Sequence, residues 1–119
     1  MSKLFVYGTL KRGHRAHDFL GDDSVFLREA KTHSRYHLYQ LGWFPGMVID
    51  EMIDGGVQGE LYEVTDECLS ALDTYEGAPD LFRREDVELE DGNVVISYIY
   101  MREFSATSRI ENGIWKVTE

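Results

Sequence analysis

Short runs of β-forming residues, separated by turns that contain glycine, fill most of this 119-residue chain, and one segment alone has helical periodicity. Such runs pair side by side into antiparallel sheets, and a single helix covers part of a sheet face. The pattern therefore predicts a small α+β domain: a mixed, mostly antiparallel, barrel-like sheet with one main helix. With 43% hydrophobic residues, a chain of this length forms one core, so residues 1–119 are expected to be a single domain.

The strands are predicted from apolar and β-branched runs bounded by turn residues. Phe44-Pro45-Gly46 interrupts this pattern, and Asp54-Gly55-Gly56 predicts a hairpin that pairs 47–49 with 57–64. Residues 90–93 predict a second hairpin, and the tail at 114–117 is expected to dock as an edge element. The predicted strands are 4–7, one or two within 25–39, 47–49, 57–64, 86–89 and 94–101, with a short helical or turn segment at 16–20.

The predicted helix begins at Thr65 or Asp66, either of which can cap it, and ends at Gly77. Glu76 therefore lies at the C-terminal edge of the helix, where the chain leaves the core. Apolar side chains at spacings of three and four form one face that packs on the sheet: Cys68, Leu69, Leu72 and Tyr75.

Composition excludes several classes of partner. The net charge of −10 and the sequence pI of about 4.7 oppose binding to nucleic acid and to anionic membrane surfaces. No apolar run approaches the roughly 20 residues that span a bilayer, and the start lacks a signal-peptide pattern. Cys68 is the only cysteine, which excludes an internal disulfide and fits a reducing compartment. We expect a cytoplasmic protein in which Cys68 is a buried structural thiol.

The first predicted strand runs directly into Tyr7-Gly8-Thr9-Leu10, and Gly13 follows shortly after. Glycine lets backbone N–H groups come close to a ligand, and Gly8 and Gly13 can adopt conformations closed to other residues. The loop is a candidate cradle for an anion or an oxyanion, although the same residues also fit an ordinary tight turn. The glycine spacing matches neither a phosphate-binding P-loop nor a dinucleotide fingerprint.

Glu76 is the acidic residue whose context differs from the others. It follows Tyr75 and precedes Gly77, at the end of a helix that fixes its backbone. A carboxylate at the mouth of an apolar pocket loses hydration, so its pKa rises and it becomes a competent base near neutrality. The alternative is that Glu76 is a surface charge at a helix end.

Other chemistries have weaker support. No serine lies in a Gly-x-Ser-x-Gly elbow, so a hydrolase triad is not predicted. A glycosidase pair of Glu76 and Glu60 would need a defined separation that nothing in the sequence establishes. No metal site is expected, because a third ligand is missing beside the two histidine pairs, His14 with His17 and His33 with His37.

Five ordered sequence blocks, covering about residues 4–100, together resemble the γ-glutamylcyclotransferase-like family. The Tyr-Gly-Thr-Leu form of the loop is similar to the γ-glutamylamine and butirosin-pathway cyclotransferase branch, whereas the glutathione-pathway enzyme carries Tyr-Gly-Ser-Asn. The blocks are Tyr7-Gly8-Thr9-Leu10, Leu41-Gly42-Trp43-Phe44-Pro45-Gly46-Met47-Val48, Val57-Gln58-Gly59-Glu60-Leu61-Tyr62, Leu72-Asp73-Thr74-Tyr75-Glu76-Gly77 and Phe82-Arg83-Arg84.

The resemblance implies a small barrel with a cavity at one end and a cofactor-independent reaction that releases 5-oxoproline from a small γ-glutamyl amine or amide. It implies that Glu76 is the acid/base and that the substrate-binding loop consists of Tyr7, Gly8, Thr9 and Leu10.

Two arginines and two tyrosines are further candidates for the substrate site. Arg84, or Arg83 in its place, could steady the substrate carboxylate, although an arginine beside acidic residues often forms a surface ion pair. Tyr98 and Tyr100 face the same side of a strand and either line the cavity or pack. The rival hypothesis is a binding module of the same fold that holds a small acidic metabolite or a peptide end without turning it over.

Overall fold

The computed structural model describes residues 1–13, 17–41, 44–52, 54–103 and 108–115. Within these ranges the chain forms seven strands, one α-helix and a 3₁₀ helix at His17–Leu20. The elements in chain order are β1 (Ser2–Val6), β2 (Val25–Lys31), β3 (Tyr36–Gln40), β4 (Pro45–Ile49), β5 (Gln58–Val64), α1 (Asp66–Tyr75), β6 (Phe82–Glu88) and β7 (Val94–Tyr100).

Five strands form the main sheet in the order β2-β5-β1-β7-β6, and β3 and β4 form a separate two-stranded sheet. All pairs are antiparallel except β1 with β7. The sheet curls until its two outer strands approach each other, where Thr32 and Leu89 form an isolated bridge just beyond β2 and β6. The α+β prediction is confirmed, but over the described strands the sheet is curled rather than a closed barrel.

Both faces of the main sheet are covered, which explains the continuous apolar run of β1. Phe5 packs into the core inside the curl, whereas Leu4 and Val6 pack into a second core under α1. Side chains alternate between the faces of a strand, so a strand buried on both faces carries apolar residues at every position. β1 therefore lies between the two cores and leads into the loop that follows it.

The start of α1 follows its sequence closely. Thr65 is the N-cap, and its side-chain oxygen accepts a hydrogen bond of 3.1 Å from the backbone N–H of Cys68. Leu69 and Leu72 are buried in the core under the helix. Cys68 is half-buried and donates from Sγ to the carbonyl of Leu20 at 3.4 Å, and burial raises its pKa.

The end of α1 fixes the position of Glu76. Gly77 has a φ of +67°, the left-handed conformation that ends many helices. The N–H of Gly77 donates to Thr74 at 3.2 Å, and the N–H of Ala78 donates to Asp73 at 2.9 Å. These two bonds form a Schellman motif in which Glu76 is the C-cap. The predicted helix and its end at Gly77 are confirmed.

The predicted pairing of 47–49 with 57–64 is wrong. β4 pairs with β3, and β5 pairs with β1 and β2. The connection between β3 and β4 is short and is closed by a 2.9 Å hydrogen bond from the N–H of Leu41 to the carbonyl of Phe44. Such a short connection favours a local hairpin over pairing across residues 54–56.

Pro45 and Gly46, predicted to interrupt the strand pattern, are the first residues of β4. A proline is tolerated at the first position of an edge strand, where its missing N–H costs no ladder bond. Two strands are confirmed within 25–39, and a bulge between Phe26 and Arg28 leaves Val25 and Leu27 exposed.

The structure differs from the sequence prediction at the start of β6 and in the tail. β6 begins at Phe82, four residues before the predicted strand, whereas the hairpin that joins it to β7 is confirmed. In the tail, Trp115 is buried and its indole N–H donates to Gln40 at 3.1 Å, without joining a strand. Ala16, Gly42, Trp43 and residues 116–117, which appear in the predictions above, lie outside the described residues.

Over the described ranges, the structure contains no helix with the length and apolar character needed to traverse a bilayer.

Candidate active site

A cavity of about 180 Å³ opens where β1 runs into its loop. One wall is the loop Gly8–Leu10, and another is the end of α1 with Tyr75 and Glu76. Apolar side chains at the start of β4 and before β6 complete it, together with part of β7. The structure therefore brings together the predicted loop and the predicted acid, which lie 66 or more positions apart in the chain.

The Glu76 side chain projects from the C-cap of α1 into this cavity and is partly buried. Burial raises the pKa of its carboxyl from 4.5 to about 7. The pKa of the nearby Tyr7 phenol is raised well above its ordinary value by burial and by the charge of Glu76. Glu76 is therefore divided between its two protonation states near neutral pH, as an acid/base requires.

The loop after β1 presents main-chain donors to the cavity. Among the hydrogen bonds between described residues, none is donated by the N–H of Gly8, Thr9 or Leu10. The turn is closed instead by the N–H of Lys11, which donates to the carbonyl of Gly8 at 3.1 Å. Three successive N–H groups in a cavity wall form a suitable site for a negative oxygen.

The two loop glycines have different roles. Gly13 has a φ of +80°, as expected for a glycine in a turn, whereas the φ of Gly8 lies outside the left-handed region. Gly8 is required for space, because a Cβ there would lie 2.6 Å from Cγ of Pro45. Gly13 therefore has the left-handed backbone conformation that glycine permits. At Gly8 the absence of a side chain instead lets the Pro45 ring pack against the backbone.

Glu60 anchors the loop rather than acting as a second acid. One carboxylate oxygen accepts from the N–H of Arg12 at 2.8 Å and from the Tyr62 hydroxyl at 3.0 Å. The other oxygen lies 3.4 Å from Nε of Arg12. Glu60 does not line the cavity, so the glycosidase pairing has no geometric support. The spacing of Glu60 and Tyr62, which puts both on one face of β5, is the sequence feature that points to this contact.

Tyr7 lines the cavity with its ring and uses its hydroxyl to hold the framework together. The hydroxyl donates to the carbonyl of Tyr98 at 2.8 Å and accepts from the N–H of Met47 at 3.2 Å. It thereby joins β7 to β4 beside the cavity. Tyr7 is brought into the site as predicted, and its hydroxyl already has two main-chain partners.

Tyr98 and Arg84 meet at Asp73, a residue that the sequence reasoning did not single out. The Tyr98 hydroxyl donates to Asp73 at 2.6 Å, and Nη2 of Arg84 lies 3.3 Å from the other Asp73 oxygen. Tyr98 lines the cavity, whereas Arg84 is not part of its wall. Asp73 precedes Glu76 by three positions, a spacing that puts both on one helix face and that could have identified it.

The other candidate side chains lie outside the cavity wall. Arg83 pairs with Glu85 at 3.6 Å. Tyr100 packs edge-on against Phe82, with ring centroids 5.3 Å apart. In the parts of the chain that the structure describes, no three His, Cys, Asp or Glu side chains are grouped so as to hold a metal ion. His17 contacts the carbonyl of Leu10 through Nδ1 at 2.9 Å, and His14 lies outside the described residues.

Chemically, the cavity combines one titrating carboxyl with a loop whose main-chain N–H groups have no acceptor among the described residues. Of its described walls, none carries a lysine, arginine or histidine side chain. A negative group of a ligand would therefore meet main-chain N–H groups, and Glu76 would exchange protons with a basic group.

Comparison with known proteins shows the family to which the chain belongs. The family model described as "Gamma-glutamyl cyclotransferase, AIG2-like" matches residues 4–117. A Vibrio cholerae protein whose name carries the term gamma-glutamylcyclotransferase is 38% identical, covering 94% of this chain and 93% of its own length. The gamma-glutamylcyclotransferase family protein YtfP of Escherichia coli K12 is 31% identical, with 95% of both chains covered.

The fold is also shared with a solved structure. An AIG2-like protein from Mus musculus superposes with a TM-score of 0.74 and 26% identity, covering 98% of this chain and 88% of the mouse chain. The family model spans nearly the whole chain, including the loop after β1 and the end of α1. The chain therefore belongs to the gamma-glutamyl cyclotransferase, AIG2-like family.

Proposed function

We propose that this protein releases 5-oxoproline from a small γ-glutamyl amine or amide, with Glu76 as the acid/base. The family and the names of the relatives support activity of the gamma-glutamylcyclotransferase type. The observation that carries the finer proposal is the Glu76 carboxyl: its pKa is raised to about 7 by burial, and it shares a cavity with the Gly8–Leu10 loop.

The substrate supplies its own nucleophile. The α-amine of a γ-glutamyl group attacks its γ-carbonyl carbon, which forms the ring C–N bond, and the bond from that carbon to the leaving amine then breaks. Oriented internal attack of this kind reaches effective molarities of about 10⁵ M or more. The protein therefore needs to fold the glutamyl chain and remove two protons from the attacking nitrogen, one of which goes to the leaving amine.

Glu76 carries out these proton transfers. The α-amine has a pKa of about 8 and is mostly ammonium at neutral pH, so it must lose a proton before it attacks. The Glu76 carboxylate accepts this proton and then donates it to the departing nitrogen, which leaves as a neutral amine. The ring nitrogen loses its second extra proton to the regenerated carboxylate, which releases it to solvent. A carboxyl with a pKa of about 7 suits these transfers.

The loop stabilises the charge that develops on the γ-carbonyl oxygen. Gly8, Thr9 and Leu10 line the cavity, and their N–H groups have no acceptor among the described residues. A donor aimed at an oxyanion typically contributes about 3 to 4 kcal/mol to transition-state stabilisation. The same loop is also suited to hold the α-carboxylate, since the described cavity walls carry no cationic side chain.

The test is to incubate the protein with a panel of γ-glutamyl amines and dipeptides and to measure 5-oxoproline. We expect Glu76→Gln to lower kcat by about 10²- to 10⁴-fold, because general acid–base catalysis is lost. In the wild type, kcat/KM is expected to follow a bell-shaped pH profile. Its acid limb reports the Glu76 pKa of about 7, and its alkaline limb reports the substrate ammonium pKa of about 8.

The matched control is Glu67→Gln, which removes an exposed carboxylate from the first turn of the same helix. It is expected to leave 5-oxoproline release unchanged. Release that persists in folded Glu76→Gln contradicts the role of Glu76. Absence of release from every substrate, with binding retained, instead supports the rival interpretation of a binding module.

A further inference from the structure

Two aromatic side chains stand together at the rim of the cavity. Tyr75 lines the cavity beside Glu76 and is 38% exposed, and Phe19 is 49% exposed. Their ring centroids are 4.4 Å apart and their planes are inclined by 36°. Large apolar side chains grouped at the edge of a pocket often mark a surface that a ligand covers.

Both rings are held in place. The Tyr75 hydroxyl lies 3.3 Å from Oγ1 of Thr9, which connects the helix end to the loop. Phe19 belongs to the 3₁₀ helix, whose next residue, Leu20, is buried in the core under α1. Sγ of Cys68 donates to the carbonyl of Leu20 at 3.4 Å, which ties this short helix to α1. The segments that carry the two rings are thus tied to the loop and to α1.

The cavity is too small to enclose the whole substrate, so the leaving-amine half extends to this aromatic surface. A volume of about 180 Å³ lies below the 300–1,000 Å³ that is usual for pockets holding whole drug-sized ligands. The glutamyl half, which reacts between Glu76 and the loop, uses the interior. The leaving amine must remain close to Glu76 to receive its proton, and Tyr75 is the adjoining residue at the rim.

We propose, on the basis of the proposed function, that Tyr75 and Phe19 form the leaving-group subsite and that this subsite selects amines carrying a flat aromatic ring. The two rings offer an apolar surface on which an aromatic group stacks or packs edge-on. A short alkyl amine covers much less of it. Phe19 is then a specificity-determining residue outside the described cavity wall.

The experiment compares γ-glutamyl-2-phenylethylamide with γ-glutamyl-ethylamide, two substrates that differ by one phenyl ring. We expect the wild type to have the higher kcat/KM for the phenylethylamide. Phe19→Ala is expected to lower that value about 2- to 10-fold and to lower the ethylamide value by a smaller factor. Phe19→Leu keeps an apolar side chain without a flat ring. Its kcat/KM for the phenylethylamide is expected to lie between those of the wild type and Phe19→Ala.

The matched control is Val25→Ala, because Val25 is also 49% exposed and lies on β2, outside the cavity wall. It should leave the ratio of the two kcat/KM values unchanged. Equal kcat/KM values for the two substrates in the wild type, or an equal loss with both in Phe19→Ala, would overturn the subsite while leaving the proposed function intact.

If neither substrate is turned over, the proposed function fails and calorimetric binding decides the subsite separately. Tighter binding of the phenylethylamide than of the ethylamide, lost in Phe19→Ala, supports the aromatic subsite without turnover. Equal affinities for the two compounds overturn it.

Discussion

Among single residues, Glu76 shows how burial alone can raise the pKa of a carboxyl. Burial is the cause of its raised pKa, since no described side chain donates a hydrogen bond to its carboxyl. Asp73, one helical turn earlier, has the opposite surroundings: it accepts a hydrogen bond from Tyr98 and pairs with Arg84. Two carboxylates on one helix face therefore differ in role because one is supplied with partners and the other is not.

Arg84 provides the first residue-scale prediction. Its ion pair with Asp73 is partly exposed, and such pairs contribute about 0 to 1 kcal/mol to stability. We expect Arg84→Met to change kcat/KM by less than about fivefold and to lower the free energy of unfolding by no more than about 1 kcal/mol. Steady-state kinetics and urea denaturation measure the two effects.

Arg83→Met is the matched control, because Arg83 belongs to another exposed ion pair on the same strand. Both variants should behave alike in the assay. A rise in KM of about 30-fold or more in Arg84→Met alone would show that Arg84 contacts the substrate carboxylate, as the sequence first suggested.

At this scale the sequence predicts the identity of site residues better than their surroundings. Glu76 and the Tyr7–Leu10 loop were predicted from short local patterns, and both line the cavity. The loss of hydration at Glu76 depends on walls contributed by distant strands, which no local pattern specifies. The partnership of Arg84 with Asp73 is likewise a contact between β6 and α1 that chain spacing does not encode.

Among the structural elements, the end of α1 connects backbone geometry to the position of Glu76 in the cavity. Gly77→Ala places a side chain at a φ of +67°, which costs about 1–2 kcal/mol, and its Cβ would lie 3.2 Å from that of Leu81. We expect this variant to be less stable and also to lose kcat, because the C-cap that directs Glu76 must shift. Thermal unfolding and 5-oxoproline release measure the two losses.

Gly92→Ala separates the two effects. Gly92 has a φ of +89° in the β6–β7 turn, and a Cβ there would meet nothing within 4 Å. This variant is subject to the same conformational penalty away from the cavity, so it should lose stability while keeping kcat. If Gly77→Ala retained full kcat, the helix end would not control the position of Glu76.

Strand pairing marks the limit of prediction at the scale of elements. Periodicity and turn residues predict most strands and the helix. They also predict that β4 pairs with β5, whereas in the structure β4 pairs with β3. Pro45 and Gly46 predict an interruption of the strand pattern, because proline and glycine disfavour the middle of a sheet. In a two-stranded sheet every strand is an edge strand, and that fact is known only once the pairing is known.

At the scale of the whole molecule, the burial of Glu76 lowers the stability of the fold at neutral pH and above. The carboxyl has a pKa of about 7 in the native state and 4.5 in its ordinary state, so between these values the native state binds the proton more tightly. Stability therefore falls as the pH rises through this window, and the penalty is complete above about pH 7. Below about 4.5 both states are protonated and the penalty is absent.

Glu76→Gln keeps the shape of the protonated carboxyl but does not titrate, so it should gain stability where the wild type is ionised. The difference between the two pKa values corresponds to at most about 3 kcal/mol, an upper limit because the group is partly exposed. We expect urea denaturation to show the variant as the more stable protein at pH 8, with the difference shrinking toward zero near pH 4.5. Glu67→Gln, which alters an exposed carboxylate on the same helix, is the matched control. Equal stability of wild type and Glu76→Gln at both pH values would mean that the Glu76 carboxyl is hydrated in the native state, which would remove the physical basis of its catalytic role.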